Sequence, residues 1–153
     1  MLFLCAFLTG LVSGLRAMTA PAAVSWSARF GLLAVTGTPL AFMGYKYTPV
    51  LFTLAAIGEL INDKLPKTAS RTVPPQFIAR VVMGSLVGAT VGAAGHAILV
   101  GLVLGALGAV CGTLGGAAVR AKMAAAFGRD LPAALIEDVA AIAIAVFSVM
   151  RLG

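Results

Sequence analysis

Long apolar segments recur along this chain, and only short polar stretches separate them. Hydrophobic residues make up 61% of the sequence and charged residues 10%, whereas soluble domains average about 45–50% and about 25%. A soluble fold of 153 residues could not cover so much apolar surface. The sequence therefore predicts a single all-α integral membrane domain over residues 1–153, built as a bundle of transmembrane helices.

Five membrane spans are predicted from the hydropathy pattern and its interruptions. They cover residues 2–26, 48–65, 77–94, 97–119 and 131–150. Two features predict broken or re-entrant helices as well. The first span is interrupted by Ser13-Gly14-Leu15-Arg16 and by Pro21. The apolar stretch Phe30–Met43 is too short and too broken for a full span, so it is predicted to be interfacial or re-entrant.

The basic residues predict an orientation. Seven of them lie in or next to the connections after the second and fourth spans, namely Lys64, Lys67, Arg71, Arg80, Arg120, Lys122 and Arg129. The opposite connections carry three, which are Arg29, Lys46 and Arg151. Since cytoplasmic loops are rich in Lys and Arg, we expect a multi-pass protein of the bacterial inner membrane with a cytoplasmic N-terminus and an external C-terminus.

The net charge of +6 bears on the partners of the chain. In a soluble protein this excess would suggest nucleic acid. In a membrane protein it is typical of cytoplasmic loops that face anionic lipid headgroups. The lipid bilayer and its anionic headgroups are therefore the predicted partners, and nucleic acid is not.

Glycines recur at a spacing of four residues within the predicted spans. They are Gly10 and Gly14, then Gly84, Gly88 and Gly92, then Gly101 and Gly105, then Gly108, Gly112 and Gly116. This spacing places small residues on one helix face, which favours close helix packing; a smooth conduit or sliding surface is the functional alternative. We also predict a homodimer that uses the Gly84/Gly88/Gly92 face as a second packing surface.

An internal similarity suggests an inverted repeat. The segment Gly10-Leu-Val-Ser-Gly14-Leu-Arg16 resembles Gly112-Thr-Leu-Gly-Gly116-Ala-Ala-Val-Arg120, with two residues inserted. Each segment precedes a helix with an acidic pair. The two units begin three predicted spans apart, so they would have opposite orientations in the membrane, as in many transporters.

Charged residues in or next to the apolar spans are the candidate ion-binding or substrate-binding residues, because each costs about 2.5–3.5 kcal/mol at a helix centre. They are Arg16, Glu59, Asp63, Lys64, Glu137 and Asp138. Glu59 and Asp63 share a helix face, so they could bind a cation or take up a proton. Glu137 and Asp138 point about 100° apart on a helix, which predicts that one of them faces a shared cavity.

Arg16 is the natural counter-charge for these carboxylates. It could neutralise Glu59 or Glu137, or bind an anionic group of a substrate. The structural alternative is an interhelical salt bridge from Arg16 or Lys64 that has no role in transport. For Asp63 and Lys64, a solvated helix end is a further alternative.

The chain resembles the domain-of-unknown-function 4126 family of small bacterial integral membrane proteins. The resemblance rests on Ser13-Gly14-Leu15-Arg16, on Glu59-x-x-x-Asp63-Lys64-x-Pro66 and on Glu137-Asp138. It implies a membrane topology and assigns no activity. The acidic motifs are also similar to those of calcium/manganese–proton antiporters, although that family has its Glu and Asp three apart, with a Gly and a Thr that this chain lacks.

Three functions are compatible with these features. The first is a secondary transporter or channel-like protein for a cation or a proton-coupled small solute. The second is a structural or accessory membrane subunit whose charges only join helices. The third is a lipid-modifying enzyme, which is least favoured because common catalytic motifs are missing from the sequence. No motif predicts a cofactor, and the sequence identifies no particular metal.

Overall fold

The computed structural model describes residues 1–65 and 70–152, and all regular secondary structure in these ranges is helical. The six α-helices are α1 (Leu2–Leu15), α2 (Thr19–Arg29), α3 (Thr48–Asn62), α4 (Pro74–Ala93), α5 (Ile98–Phe127) and α6 (Asp130–Met150), with a short 3₁₀ helix at Ala41–Gly44. The predicted all-α class is confirmed for this part of the chain. Pro66 of the acidic motif and Lys67 of the basic linker lie outside the described residues.

Three of the described helices, α4, α5 and α6, are long and apolar enough to cross a membrane, which indicates a membrane protein. The helices α1 and α3 are apolar but shorter, with 14 and 15 residues. They reach about 21–22 Å at 1.5 Å per residue, less than the ~30 Å of a hydrocarbon core. Five full spans are therefore not confirmed.

The predicted first span, residues 2–26, is a helical hairpin and not one continuous helix. Helix α1 runs parallel to α5, because Gly10 approaches Gly105 and Gly14 approaches Gly112. Helix α2 runs antiparallel to α3, since the amide of Met18 bonds to Glu59 and the indole of Trp26 bonds to Thr53. The chain therefore turns back at Arg16–Met18, which we call the hairpin tip.

This hairpin changes the predicted topology. The side chain of Leu2 lies against Gly95, in the turn between α4 and α5. The described parts of the linker between α3 and α4, residues 63–65 and 70–73, lie at the opposite end of the bundle, where Asp63 meets Arg120 of α5 and Arg71 meets Glu137 of α6. Helix α6 starts at that end and returns, so both termini lie at the end opposite the linker. The five-span prediction, which puts the N-terminus and the linker on one side, is wrong on this point.

The predicted inverted repeat is not confirmed either. Its two similar segments lie at the end of α1 and within α5. These two helices pack side by side and run in the same direction. Opposite orientations would require the region from Leu2 to Trp26 to cross the membrane once. This region forms a hairpin instead, so the requirement is not met.

The glycine spacing does produce close packing, but inside the chain. Helices α1, α4 and α5 pack most extensively against one another. Gly88 lies against the backbone of Gly101 and Gly105, so any side chain on either helix would overlap the other. The Gly84/Gly88/Gly92 face is therefore covered by α5 and is not free for a second copy, because the short turn at residues 94–97 holds the two helices together. The homodimer itself stays a prediction.

Two further segments differ from the prediction. The expected basic connection from Arg120 to Asp130 is largely helical, because α5 continues through an Ala-rich stretch to Phe127 and ends at Gly128, with φ of 67°. The stretch Phe30–Met43 forms turns and the 3₁₀ helix rather than an α-helix, and it buries Leu33, Val35, Leu40 and Met43 in the apolar core.

Candidate functional site: an ionic cluster between two cavities

All five carboxylates of the chain are ion-paired at the linker end of the bundle. Four of them join four cations in one network, which we call the ionic cluster; it contains Arg16, Asp63, Lys64, Arg71, Arg120, Asp130, Glu137 and Asp138. The fifth, Glu59, lies beside the cluster at the hairpin tip with Arg80. The formal charges of these ten residues cancel, which limits the cost of burying them.

Arg16 is the centre of the ionic cluster, and its side chain is fully buried. It extends from the hairpin tip because α1 ends at Leu15 and Arg16 has an extended backbone. Its Nε donates to Oδ1 of Asp138 over 2.7 Å, and its NH1 lies 2.8 Å from Oδ2 of Asp63. Lys64 reaches the other oxygen of Asp138 at 2.7 Å. Arg16 therefore joins the hairpin to α6 and to the end of α3.

Glu137 is held by three arginines, and the longest contact, from NH2 of Arg16 to Oε2 of Glu137, is 3.8 Å. Arg71 of the linker forms a two-pronged ion pair with it, with NH2 donating to Oε2 over 2.7 Å and NH1 paired with Oε1. NH1 of Arg120 lies 3.4 Å from Oε2 of Glu137 and 2.5 Å from Oδ2 of Asp63. Both Glu137 and Asp138 thus belong to one cluster, because long guanidinium side chains reach them from different directions. Of the two, only Glu137 lines one of the two spaces described below.

The hairpin tip has a separate set of contacts. Its two free backbone amides, from Ala17 and Met18, donate to the two carboxylate oxygens of Glu59 over 2.8 and 2.9 Å. On the other side of the break, NH1 of Arg80 donates to the carbonyls of Gly14 and Leu15 over 3.2 and 2.9 Å. A carboxylate at a helix N-terminus and a guanidinium at a helix C-terminus both match the local helix dipole.

Arg16 therefore does not pair with Glu59, as the sequence allowed. Glu59 is occupied by the backbone of the hairpin tip and lies 3.5 Å from NH2 of Arg80. Arg16 and Lys64 do form salt bridges to carboxylates of other elements, a geometry that is compatible with both the structural and the transport alternative. Asp63 is also not part of a solvated helix end, since its side chain is only 15% exposed, whereas Lys64 is exposed to solvent as that alternative predicts.

A polar cavity of about 550 Å³ borders the ionic cluster. Its walls come from the end of α3, the linker, the last part of α5 and the start of α6. The charged and hydroxyl side chains that line it are Asp63, Lys64, Ser70, Arg71, Arg120 and Asp130. Asp130 differs from the other carboxylates of the cluster because its side chain is 60% exposed. The cavity is large enough for a small solute.

An apolar groove of about 340 Å³ lies between α1, α5 and α6. Its lining includes Leu11, Val119, Met123 and Ile136, and Glu137 is its one charged lining residue. Glu137 therefore lines the groove, while its ion-pair partner Arg71 lines the polar cavity. The two spaces meet at this ion pair.

The structure brings the six candidate residues of the sequence analysis to one end of the bundle, with Glu59 beside the cluster that holds the other five. Sequence reasoning missed four members of the site, which are Arg71, Arg80, Arg120 and Asp130. The sequence analysis places Arg80 and Arg120 in or next to connections. Two signals point to the site instead: Arg80 follows apolar residues at the start of the predicted third span, and the Ala-rich sequence after Arg120 allows α5 to continue. Within residues 1–65 and 70–152, no group of three His, Cys, Asp or Glu side chains is arranged to hold a metal ion.

Comparison with known proteins gives no further assignment. No family model, curated protein or solved structure matches this chain.

Proposed function

We propose that the protein is a small secondary transporter of the bacterial inner membrane that binds an anionic group of a small solute in the polar cavity. The ion pair between Arg120 and Asp130 is the observation that carries this proposal. Nε and NH2 of Arg120 lie 2.9 and 2.5 Å from the two oxygens of Asp130, so the guanidinium already holds a carboxylate in the two-pronged geometry that suits an anionic ligand.

Asp130 is the one carboxylate of the cluster that can leave at low cost. Its side chain is 60% exposed, whereas those of Asp63, Glu137 and Asp138 are 15, 5 and 10% exposed. Water solvates a carboxylate of this exposure well once it separates, although Arg120 itself is only 13% exposed. A carboxylate or phosphate that enters the cavity can therefore replace Asp130 on Arg120, with Lys64 and Arg71 nearby.

The same contacts favour an anionic ligand over a free cation. Each carboxylate of the cluster already accepts hydrogen bonds from a guanidinium or an ammonium group. A cation would have to displace buried Arg side chains, which leaves uncompensated charge inside the bundle. Proton coupling stays compatible with the site, since protonation of a carboxylate would release a cation for the ligand.

A structural role is the second candidate, because every carboxylate of the chain is paired. In that case the ionic cluster only joins the hairpin, α3 and α6, and the polar cavity stays accessible from one side. The two candidates differ in whether the cavity opens alternately to both sides of the membrane. This difference can be measured without knowing the substrate.

Cysteine accessibility tests this difference. Ala117 lines the polar cavity, so we would place Ala117→Cys in a variant without Cys5 and Cys111, reconstitute it in vesicles of known orientation, and add an impermeant thiol reagent from either side. A transporter predicts labelling from both sides, with rates that change when a pH gradient is applied. Thr72→Cys is the control, for which we expect labelling from one side, because Thr72 is exposed in the connection between α3 and α4 and does not line the cavity.

Labelling of Ala117→Cys from the linker side alone, with and without a pH gradient, would overturn the transport proposal and support the structural role. The orientation is part of the same proposal. The basic linker end faces the cytoplasm by the positive-inside rule, and the hairpin then puts Met1 on the outer side.

A further inference from the structure

We infer that the ligand of this site is an amphiphilic anion, with its charged head in the polar cavity and its hydrocarbon chain in the apolar groove. This inference rests on the proposed function and specifies its substrate class. It follows from the juxtaposition of the two spaces, which are separated by the side chains of Arg71 and Glu137. A head that displaces Asp130 would be next to the end of the groove.

One glycine of the groove lining has no role in helix packing. At Gly115 an added Cβ would meet no atom within 4 Å, so a side chain there would extend into the open groove. At Gly116 an added Cβ would lie 2.5 Å from the side chain of Leu15 and 3.1 Å from atoms of both Arg71 and Glu137, so this glycine makes room for helix α1 and for the ion pair. Gly115 therefore leaves the groove open, and Gly116 lets the ion pair approach its end.

The length of the groove matches one leaflet of a bilayer. Along α5 it extends from Cys111 to Met123, about 18 Å at 1.5 Å per residue. Half of a hydrocarbon core of ~30 Å is ~15 Å. Since the polar cavity lies at the Met123 end, an acyl chain in the groove would lie in the leaflet that contacts the linker end, with its head at the level of the cavity.

Charge complementarity selects an anionic head over a zwitterionic one. Arg120 offers a two-pronged guanidinium, and Lys64 adds an ammonium group that uses only part of its donor capacity on Asp138 and the carbonyl of Leu60. A choline head carries its own cation, which would approach these same groups and be repelled. Phosphate or carboxylate heads both fit this requirement.

Binding to the full chain in detergent tests the inference. The probes are lysophosphatidic acid, lysophosphatidylcholine with the same acyl chain, and inorganic phosphate, and native mass spectrometry measures the bound fraction. We expect lysophosphatidic acid to bind at least tenfold more tightly than either of the other two probes. If the two lipids bind equally tightly, the preference for an anionic head is contradicted. If inorganic phosphate binds as tightly as lysophosphatidic acid, the role of the hydrocarbon chain is contradicted.

Three variants locate the site. Gly115→Leu fills the groove and should weaken lysophosphatidic acid binding at least tenfold, while Gly58→Leu, whose Cβ also meets no atom within 4 Å, should leave it unchanged. Asp130→Asn removes the competing carboxylate and should strengthen binding several-fold, a gain that misfolding cannot imitate. Unchanged binding in Gly115→Leu, or weaker binding in Asp130→Asn, would overturn the inference.

These results separate the two proposals. One-sided labelling of Ala117→Cys together with selective binding of lysophosphatidic acid would overturn transport and keep the amphiphile site. Two-sided labelling together with chain-independent binding of phosphate would keep transport and overturn the amphiphile.

Discussion

Arg16 and Asp138 form a buried ion pair that joins the tip of the α1–α2 hairpin to the middle of α6. Nε of Arg16 donates to Oδ1 of Asp138 over 2.7 Å, and NH2 lies 2.5 Å from the same oxygen. The hairpin reaches only part of the way along the bundle, so this contact fixes how deeply it enters. The ionic cluster is thus a structural anchor as well as a candidate binding site.

Replacing Arg16 should strongly destabilise the protein. Arg16→Met leaves Asp63 and Asp138 with fewer counter-charges in a buried site, and breaking such a pair costs about 3–5 kcal/mol. Arg16→Lys should not restore stability, because one ammonium group cannot take the place of a planar guanidinium that contacts two carboxylates. Unfolding in detergent measures both effects.

Arg29→Met is the matched control, since Arg29 is exposed at the end of α2. Surface substitutions of this kind usually change stability by less than ~0.5 kcal/mol. An Arg16→Met variant as stable as Arg29→Met would contradict the anchoring role.

The carboxylates of the ionic cluster should differ in their contribution to stability. Asp130→Asn should cost about 1 kcal/mol, because its partner Arg120 keeps Asp63 and Glu137 and the lost carboxylate is itself 60% exposed. Asp63→Asn should cost several times more, since it removes a buried partner of both Arg16 and Arg120. The comparison of the two unfolding midpoints checks this order, and equal midpoints would contradict it.

The hairpin predicts that Met1 and the linker lie on opposite sides of the membrane. Thr72→Cys, outside the cavity lining and in a variant without other cysteines, should resist an impermeant thiol reagent in intact cells and react after the cells are opened. A cysteine added before Met1 should react in intact cells. Labelling of both positions under the same condition would contradict the hairpin and favour a first helix that crosses the membrane once.

The helical fold class and the six candidate charged residues were predictable from the sequence. Long apolar segments, and ionisable residues within them, can be recognised from neighbouring residues alone. The hairpin was not predictable, since Leu2 to Trp26 is long enough to cross once and the turn at Arg16 is fixed by distant partners. Those partners are Asp138, Glu59 and Arg80, which lie far along the chain. The partner of the Gly88 and Gly92 face was not predictable either. The short turn between α4 and α5 makes α5 that partner, and the glycine spacing alone does not specify it.

Close helix packing predicts opposite effects for two Gly→Ala substitutions. At Gly105 a Cβ would overlap the backbone of Gly84, so Gly105→Ala should force α4 and α5 apart and cost about 1–3 kcal/mol or more. At Gly58, in α3, a Cβ meets no atom within 4 Å, so Gly58→Ala should stabilise the helix by about 0.5–1 kcal/mol. A destabilised Gly58→Ala or a neutral Gly105→Ala, measured by unfolding in detergent, would contradict this packing.

The contacts of Glu59 lead to a last prediction about the hairpin tip. Its two carboxylate oxygens accept the amides of Ala17 and Met18, and Arg80 lies nearby. Glu59→Gln keeps the size of the side chain but replaces one acceptor oxygen with an NH2 group, which faces a backbone donor or Arg80. Hydrogen bonds to a charged group contribute about 1.5–3 kcal/mol each, so we expect a clear loss of stability.

A second substitution, added to Glu59→Gln, identifies the partner of Glu59 if it restores part of the lost stability. Arg80→Met in the Glu59→Gln background should recover part of the stability, because it removes a buried cation that has lost its nearest carboxylate. Arg16→Met in the same background should only add its own cost, since Arg16 pairs with Asp63 and Asp138 and not with Glu59. A double-mutant cycle on unfolding in detergent measures both couplings. Recovery by Arg16→Met instead of Arg80→Met would contradict the observed pairing and restore the salt bridge between Arg16 and Glu59 that the sequence allowed.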